Sequence, residues 1–390
     1  MTAIDAIYGL GISHNKFPLV LPDGTYYPDY LFFVDKRPIE FLTHFDRVRD
    51  RDWSDCTFAD LGCSEGSTTF GISQTGATVY GVEGRADGVE RAKVLRDIVG
   101  FERTHFQVGN VDHEESYREV DGIFNAGVLY HLEDPVACLE RSARNARHFV
   151  YLDTGHAPRS AEERAASKFS RNFGRTYTIR AHGVDLEAVD FAEPGHKEEK
   201  KDGIRRGPRA GIGNTNSVWL SQASTIELMK ALGFPYHETI ADKPHIPRLR
   251  TCFWRTEPRP ATKLGPLPKA LPKGLPRDAA IAAARARDLA YLKRTDKPVT
   301  VVGHKPLLAA VASDLKEAGV RVDAVLEAPG ALGDPLGLMM LDKLLARRSG
   351  LVAVATRDVA RASFNLMKLD RFPYVFTSFA LTHDRELAGA

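Results

Sequence analysis

From residue 55 onward the chain repeats one pattern: a short apolar run, a small-residue turn, then a stretch with helical spacing. The apolar runs are "CTFADLG", "ATVYGVE", "THFQVG", "DGIFNAGVL" and "HFVYLD". Helices are expected from Ser67, across "ADGVERAKVLRDIV", briefly near "HEESYRE", and across "DPVACLERSARNA". Strands alternating with helices are joined by crossovers, which gives a parallel sheet covered on both faces. Further on come helix "STIELMKALGF" and two strand-like runs, "YHETIAD" and "RLRTCFWR", separated by "KPHIP". The expected fold is therefore α/β, with a seven-stranded, mostly parallel sheet that ends in an antiparallel hairpin. Dinucleotide-binding sheets do not usually end that way.

After Asp153 the alternation stops for about seventy residues, a length suited to a functional loop or lid rather than to a compact core. This defines an insert, 157–222, within a domain spanning 51–255. Residues 1–50 are aromatic-rich, with a turn at Pro22, Asp23 and Gly24, and read as a lead-in packed on that domain. The segment "TEPRPATKLGPLPKALPKGLP", 256–276, is a proline-rich, semi-rigid linker. Beyond it, 277–390 alternates again, from helix "RDAAIAAARARDLAYLK" and strand "PVTVVG" to helix "PLGLMMLDKLLARR" and strand "LVAVAT". It reads as a second, smaller α/β Rossmann-like domain suited to acceptor docking or to homo-oligomer formation.

Composition narrows the class. No apolar run approaches the ~20 residues that cross a bilayer, and the start "MTAIDAIYGLGISHNK" lacks a signal-peptide pattern. A cytoplasmic location and no membrane partner are expected. Cys56, Cys63, Cys138 and Cys252 are too scattered for a disulfide framework or a zinc site and read as reduced thiols. The net charge of +2 gives no global argument for a nucleic-acid partner, although "HKEEKKDGIRRGPR" is locally basic.

Which ligand, then, does "FADLGCSEGSTTF" hold? In a G-x-G-x-x-G fingerprint counted from Gly62, the second and third glycines would fall on Ser64 and Ser67, so the turn has no dinucleotide credentials. A glycine turn after a strand is often a plain tight turn; the acidic Glu83 closing the next strand is what favours a ligand.

This turn, Glu83 and "FNAGVLYHLEDP", at their spacings, resemble the class I S-adenosylmethionine-dependent methyltransferases over roughly residues 21–255. The resemblance implies that Asp60, Gly62, Cys63 and Gly66 lie beside the methionine part of S-adenosylmethionine. Glu83 would accept from both ribose hydroxyls. Asn110, with Val111, stands where the family often has an aspartate meeting the adenine, and an asparagine carbonyl can still accept there. Asn125, Ala126 and Gly127 would pass the methionine end. With "LPDG" upstream, the segment also resembles a subgroup that includes tRNA wobble-uridine carboxymethyl transferases.

Methyl transfer asks the protein for alignment and, with a hydroxyl acceptor, for a base. The candidates at the carboxyl ends of the strands are Tyr130, His131, Asp153 and His156, with His131 as the expected base; a capping or packing role is its alternative. A divalent ion held by Asp153, His156 and His182, Glu193 or His196 is a minority reading, and no metal is expected. Cys63 is expected for its small size, not its reactivity. The expected acceptor is a hydroxylated small molecule such as a sugar, nucleotide sugar or glycan. A tRNA acceptor and a non-catalytic cofactor-binding scaffold stand as alternatives.

Overall fold

The computed structural model describes residues 19–21, 24, 26–27, 36–193, 214–243, 247–261, 277–303, 305–327, 351–355 and 375–377. Pro22 and Asp23, the basic run 196–209 with His196, the turn residues 244–246, the linker residues 262–276 and the expected helix at 335–348 lie outside the described residues. The chain divides into two compact units, Lys36–Lys93 with Phe101–Ala270, and Met1–Asp35 with Val94–Gly100 and Leu271–Ala390.

In chain order, strands β1 (Leu19–Val20) and β2 (Tyr26–Tyr27) form a two-residue antiparallel ladder. From residue 36 onward come helix α1 (Arg37–Phe45), β3 (Thr57–Leu61), α2 (Ser67–Ser73), β4 (Thr78–Glu83), α3 (Ala86–Val99), β5 (Thr104–Val108), β6 (Val120–Ala126), α4 (Pro135–Asn145) and β7 (Ala146–Gly155). Next come α5 (Ala161–Ala166), β8 (Phe173–Ala181), β9 (Val184–Ala192), β10 (Asn216–Leu220), α6 (Gln222–Ala231), β11 (Tyr236–Lys243) and β12 (Arg248–Trp254).

The central sheet has seven strands in the order β11-β12-β7-β6-β3-β4-β5. β12 runs antiparallel to both of its neighbours, while β7, β6, β3, β4 and β5 pair in parallel. Side chains alternate between two cores, as period-2 geometry requires. Phe58, Phe124, Phe149, Tyr151 and Trp254 pack on one face with Phe41 and Phe45 of α1. Ala59, Leu61, Ile123, Val150 and Leu152 pack on the other with Leu139 of α4 and Leu228 of α6. Pro135 opens α4, and the Asp134 side chain caps it by accepting from the Ala137 N–H at 2.9 Å. The strand carboxyl ends of β3, β4, β6 and β7 meet along one edge.

The insert is not a loop throughout. β8, β9 and β10 form a three-stranded antiparallel sheet in the order β10-β9-β8. One face of β9 sends Leu186 and Ala188 into the main core. The other sends Val189 and Phe191 into a cluster with Trp219, Phe173 and Ala157. Glycine and arginine content obscured an alternating pattern, and the turn between β8 and β9, His182-Gly183, has positive φ at both residues, the geometry of a two-residue hairpin.

The second unit carries α7 (Arg277–Arg294), β13 (Val299–Gly303), α8 (Lys305–Glu317), β14 (Val322–Glu327), β15 (Leu351–Ala355) and β16 (Val375–Thr377). Its strands form a smaller, all-parallel sheet in the order β14-β13-β15-β16. Val299, Val301, Val311 and Leu315 lie in its core. Among the described residues no helix is long and apolar enough to cross a membrane.

Candidate active site

The turn after β3 is built around backbone approach. Gly62 and Gly66 have φ of +71° and +85°, conformations that cost an L-residue about 1–2 kcal/mol. A Cβ on Gly62 would lie 2.1 Å from Val128 Cγ2, and one on Gly66 would lie 2.7 Å from the Phe106 ring. The Gly62 and Cys63 N–H groups donate to Val82 O at 2.8 and 2.9 Å, which anchors the turn to β4. Ser64 also has a left-handed φ of +53°. Such a non-glycine residue needs a specific restraint, and Glu83 supplies it.

The Glu83 carboxylate is buried at the end of β4. Oε2 accepts from the Ser64 N–H at 3.0 Å, and Oε1 accepts from the Arg85 N–H at 3.0 Å and from Arg85 Nη1 at 3.2 Å. Carboxylate oxygens have about four lone-pair sites between them; three are taken here, which leaves one for an incoming hydroxyl, and a second hydroxyl would have to displace the Arg85 guanidinium. Asp60, buried at the end of β3, accepts from Thr69 Oγ1 at 2.6 Å. Burial holds the Cys63 thiol well above its ordinary range, and the charges of Asp60 and Glu83 add to this. This thiol is a packing group.

Across the edge, the Gly127 N–H donates to Asp153 O at 2.8 Å, and its own φ is +87°. A Cβ there would meet nothing nearer than Tyr130 Oη at 3.8 Å. The backbone is thus open to a ligand at this point. Asn125 differs: its side chain is buried in the core, with Nδ2 3.6 Å from Cys138 Sγ, and Oδ1 has no partner among the described residues. The side chain of Asn110 is exposed and accepts from the Asp112 N–H at 3.1 Å, a turn-forming bond, while Val111 is buried.

Tyr130 and His131 lie on the short 3-10 segment Leu129–His131 that follows β6. Their rings are 4.2 Å apart. His131 Nδ1 lies 3.0 Å from Glu193 Oε2, and Ser217 Oγ donates to Glu193 Oε1 at 2.9 Å. The insert also grips the backbone of this segment. Asn214 Nδ2 donates to His131 O at 2.6 Å, the Val218 N–H to Leu132 O at 2.9 Å, and Trp219 Nε1 to Tyr130 O at 2.8 Å.

The structure gives Asp153 and His156 different surroundings. Asp153 is buried and accepts from Arg248 Nε at 2.6 Å, with Arg37 Nη1 at 3.5 Å and Arg250 Nε at 3.8 Å. Burial alone would lower the pKa of Arg248, but the charge of Asp153, joined by Tyr130, more than offsets this and holds it above its usual value. Arg250 in turn meets Glu40, which accepts from Tyr151 Oη at 2.9 Å. His156 is fully buried, with Nδ1 2.8 Å from Ala157 O. His182 pairs with Glu140 at 2.7 Å on the insert surface. A carboxylate faced by three guanidiniums is a poor cation ligand, and among the described residues no group of three His, Cys, Asp or Glu side chains could hold a metal. Sequence reasoning placed Glu193 in a different role and did not single out Ser217, Arg248 or Trp219.

Residues 52–173 match the family described as a methyltransferase domain, and this segment is an S-adenosylmethionine-dependent methyltransferase domain. No curated protein matches the chain. Among solved structures, the chain is similar to the N-terminal domain of EvdMO1, crystallised in the presence of SAH and D-fucose, with 20% identity and a TM-score of 0.43 over 56% of this chain and 81% of that one. It is also similar to a structure of EvdMO1, of which it covers 46%, with 17% identity and a TM-score of 0.41 over 64% of this chain. The magnesium protoporphyrin IX methyltransferase (ChlM) from Synechocystis PCC 6803, with bound SAH, is 15% identical, with a TM-score of 0.36 over 57% of this chain and 83% of that one.

Proposed function

We propose that the chain methylates a hydroxyl group of a small molecule such as a sugar, nucleotide sugar or glycan, with His131 as the base. The carrying observation is the state of His131. It is partly exposed at the carboxyl edge, its Nδ1 is engaged by Glu193, and its Nε2 makes no hydrogen bond among the described residues. Asp153 is occupied by arginines, and His156 is sealed in the core.

S-adenosylmethionine supplies a methyl carbon on a sulfonium sulfur, which keeps the carbon–sulfur electron pair when the methyl group leaves. Glu83 would hold its ribose hydroxyls, and the turn at Gly62, Cys63 and Gly66 with the open backbone at Gly127 would border its methionine part. His131 Nε2 would take the acceptor's hydroxyl proton as the new oxygen–carbon bond forms. Tyr130, fixed between the His131 and Trp219 rings, would form one wall of the acceptor site. The intact turn and the ordered carboxylate of Glu83 argue against a scaffold that has lost its ligand.

The test is a screen of nucleotide sugars, small glycans and bulk tRNA with methyl-labelled S-adenosylmethionine. Label is expected in a hydroxylated small molecule. With that acceptor, His131→Ala should lower kcat by roughly 10²- to 10⁴-fold and leave SAH affinity within about twofold. Label in tRNA alone overturns the acceptor class, and an active His131→Ala variant overturns the base.

A further inference from the structure

We infer that Glu193 is the positioning residue of His131, delivered by the insert and itself oriented by Ser217. The inference rests on the base reading above and adds a residue to it.

Glu193 directly follows β9, and its carboxylate is buried. A buried carboxylate is costly unless its charge is met and its lone pairs are used. Arginines meet another buried carboxylate of this edge, Asp153. For Glu193, among the described residues, the only ion-pair partner is His131, and Ser217 Oγ donates a further hydrogen bond to Oε1. The Glu193 N–H donates to Thr215 O at 3.1 Å, so the residue is pinned at both backbone and side chain.

Two consequences follow from chemistry. A carboxylate accepts hydrogen bonds, so the Nδ1 proton stays on the Glu193 side and the Nε2 lone pair is left as the site that can take a proton. When Nε2 takes it, the ring becomes an imidazolium facing a buried carboxylate. That attraction exists in full only after proton transfer, so it favours the transition state over the ground state. The three insert-to-backbone bonds at Tyr130, His131 and Leu132 hold the ring against Glu193. The insert is thereby a bracket for the base.

The test needs no acceptor in its first arm. Full-length protein labelled with ¹⁵N-histidine, with the His131 signal assigned from His131→Asn, reports which ring nitrogen carries the proton, recorded at a pH where the ring is neutral. The expected result is a fixed Nδ1–H tautomer that averages over both nitrogens in Glu193→Ala, with SAH affinity within about twofold of wild type to show an intact cofactor site. A wild-type ring in the Nε2–H form, or an unchanged tautomer in Glu193→Ala, overturns the inference.

In the second arm the acceptor is the first nucleotide sugar or glycan to take label from the wild type. Glu193→Gln, which preserves shape, should lower kcat by roughly 10²-fold, with acceptor KM within about threefold, and Glu193→Asp should recover part of the loss. A Glu193→Gln variant with wild-type kcat beside an inactive His131→Ala overturns the positioning role and spares the base. An active His131→Ala overturns the base and with it the catalytic meaning of Glu193, whatever the tautomer.

Discussion

Glu83 holds the turn after β3 through the Ser64 and Arg85 N–H groups, and in the proposed function it would also hold the ribose. Glu83→Gln keeps the shape but turns an NH₂ donor toward a donor, so SAH affinity should fall by on the order of 1–3 kcal/mol; calorimetry giving equal affinities would remove Glu83 from the cofactor site. The buried thiols yield a second prediction. Burial, then the charge of Asp121, raises Cys56 from 9.0 to about 12, and burial raises Cys138 to about 11. Because the folded values are the higher ones, the folded chain binds more protons above pH 9. The stabilisation is complete below pH 9 and is lost as pH rises through these values. The urea midpoint should therefore decline between pH 9 and 10.5, less steeply in a Cys56→Ala/Cys138→Ala variant; parallel slopes would refute this.

The insert sheet depends on Trp219. Its ring stacks on Phe191 at 4.1 Å and lies edge-on to Phe173 at 5.4 Å, and a Cβ on Gly155 would sit 2.8 Å from it. Trp219→Ala should cost about 3–5 kcal/mol and lower kcat through the loosened His131 segment, while SAH still binds. Loss of SAH binding together with activity would instead mean that the insert supports the whole sheet. The five parallel strands and the glycine turn after β3 were legible in the sequence because apolar runs and turn glycines are local signals. The insert was less so, since its arginines and glycines outweighed the alternation of Tyr177, Ile179 and Ala181 with polar neighbours. His182-Gly183 between two such runs was the available cue. The pairing of Glu193 with His131 spans 62 positions and was not legible, because no local pattern encodes a contact made through two strands of an insert. For Asp153, the arginines that engage it come from α1 and β12, both distant in sequence.

The larger unit contains both faces of the central sheet and their cores, so a fragment covering 36–261 should fold and bind SAH with a Kd within about threefold of the full chain. An insoluble or non-binding fragment would mean that the remaining residues complete the site. The sheet's strand order carries one more implication, for synthesis. β12 lies between β7 and β11 although it is made after both, so on a ribosome the edge of β7 waits unpaired until about residue 254 has emerged. That edge is flanked by large apolar side chains, among them Phe149, Val150 and Tyr151, and an open apolar edge invites pairing between chains. Release of a chain ending at 244 should give aggregates, and release after 261 should give a closed sheet. β12, the last strand of this sheet to be made, is what covers the waiting edge of β7.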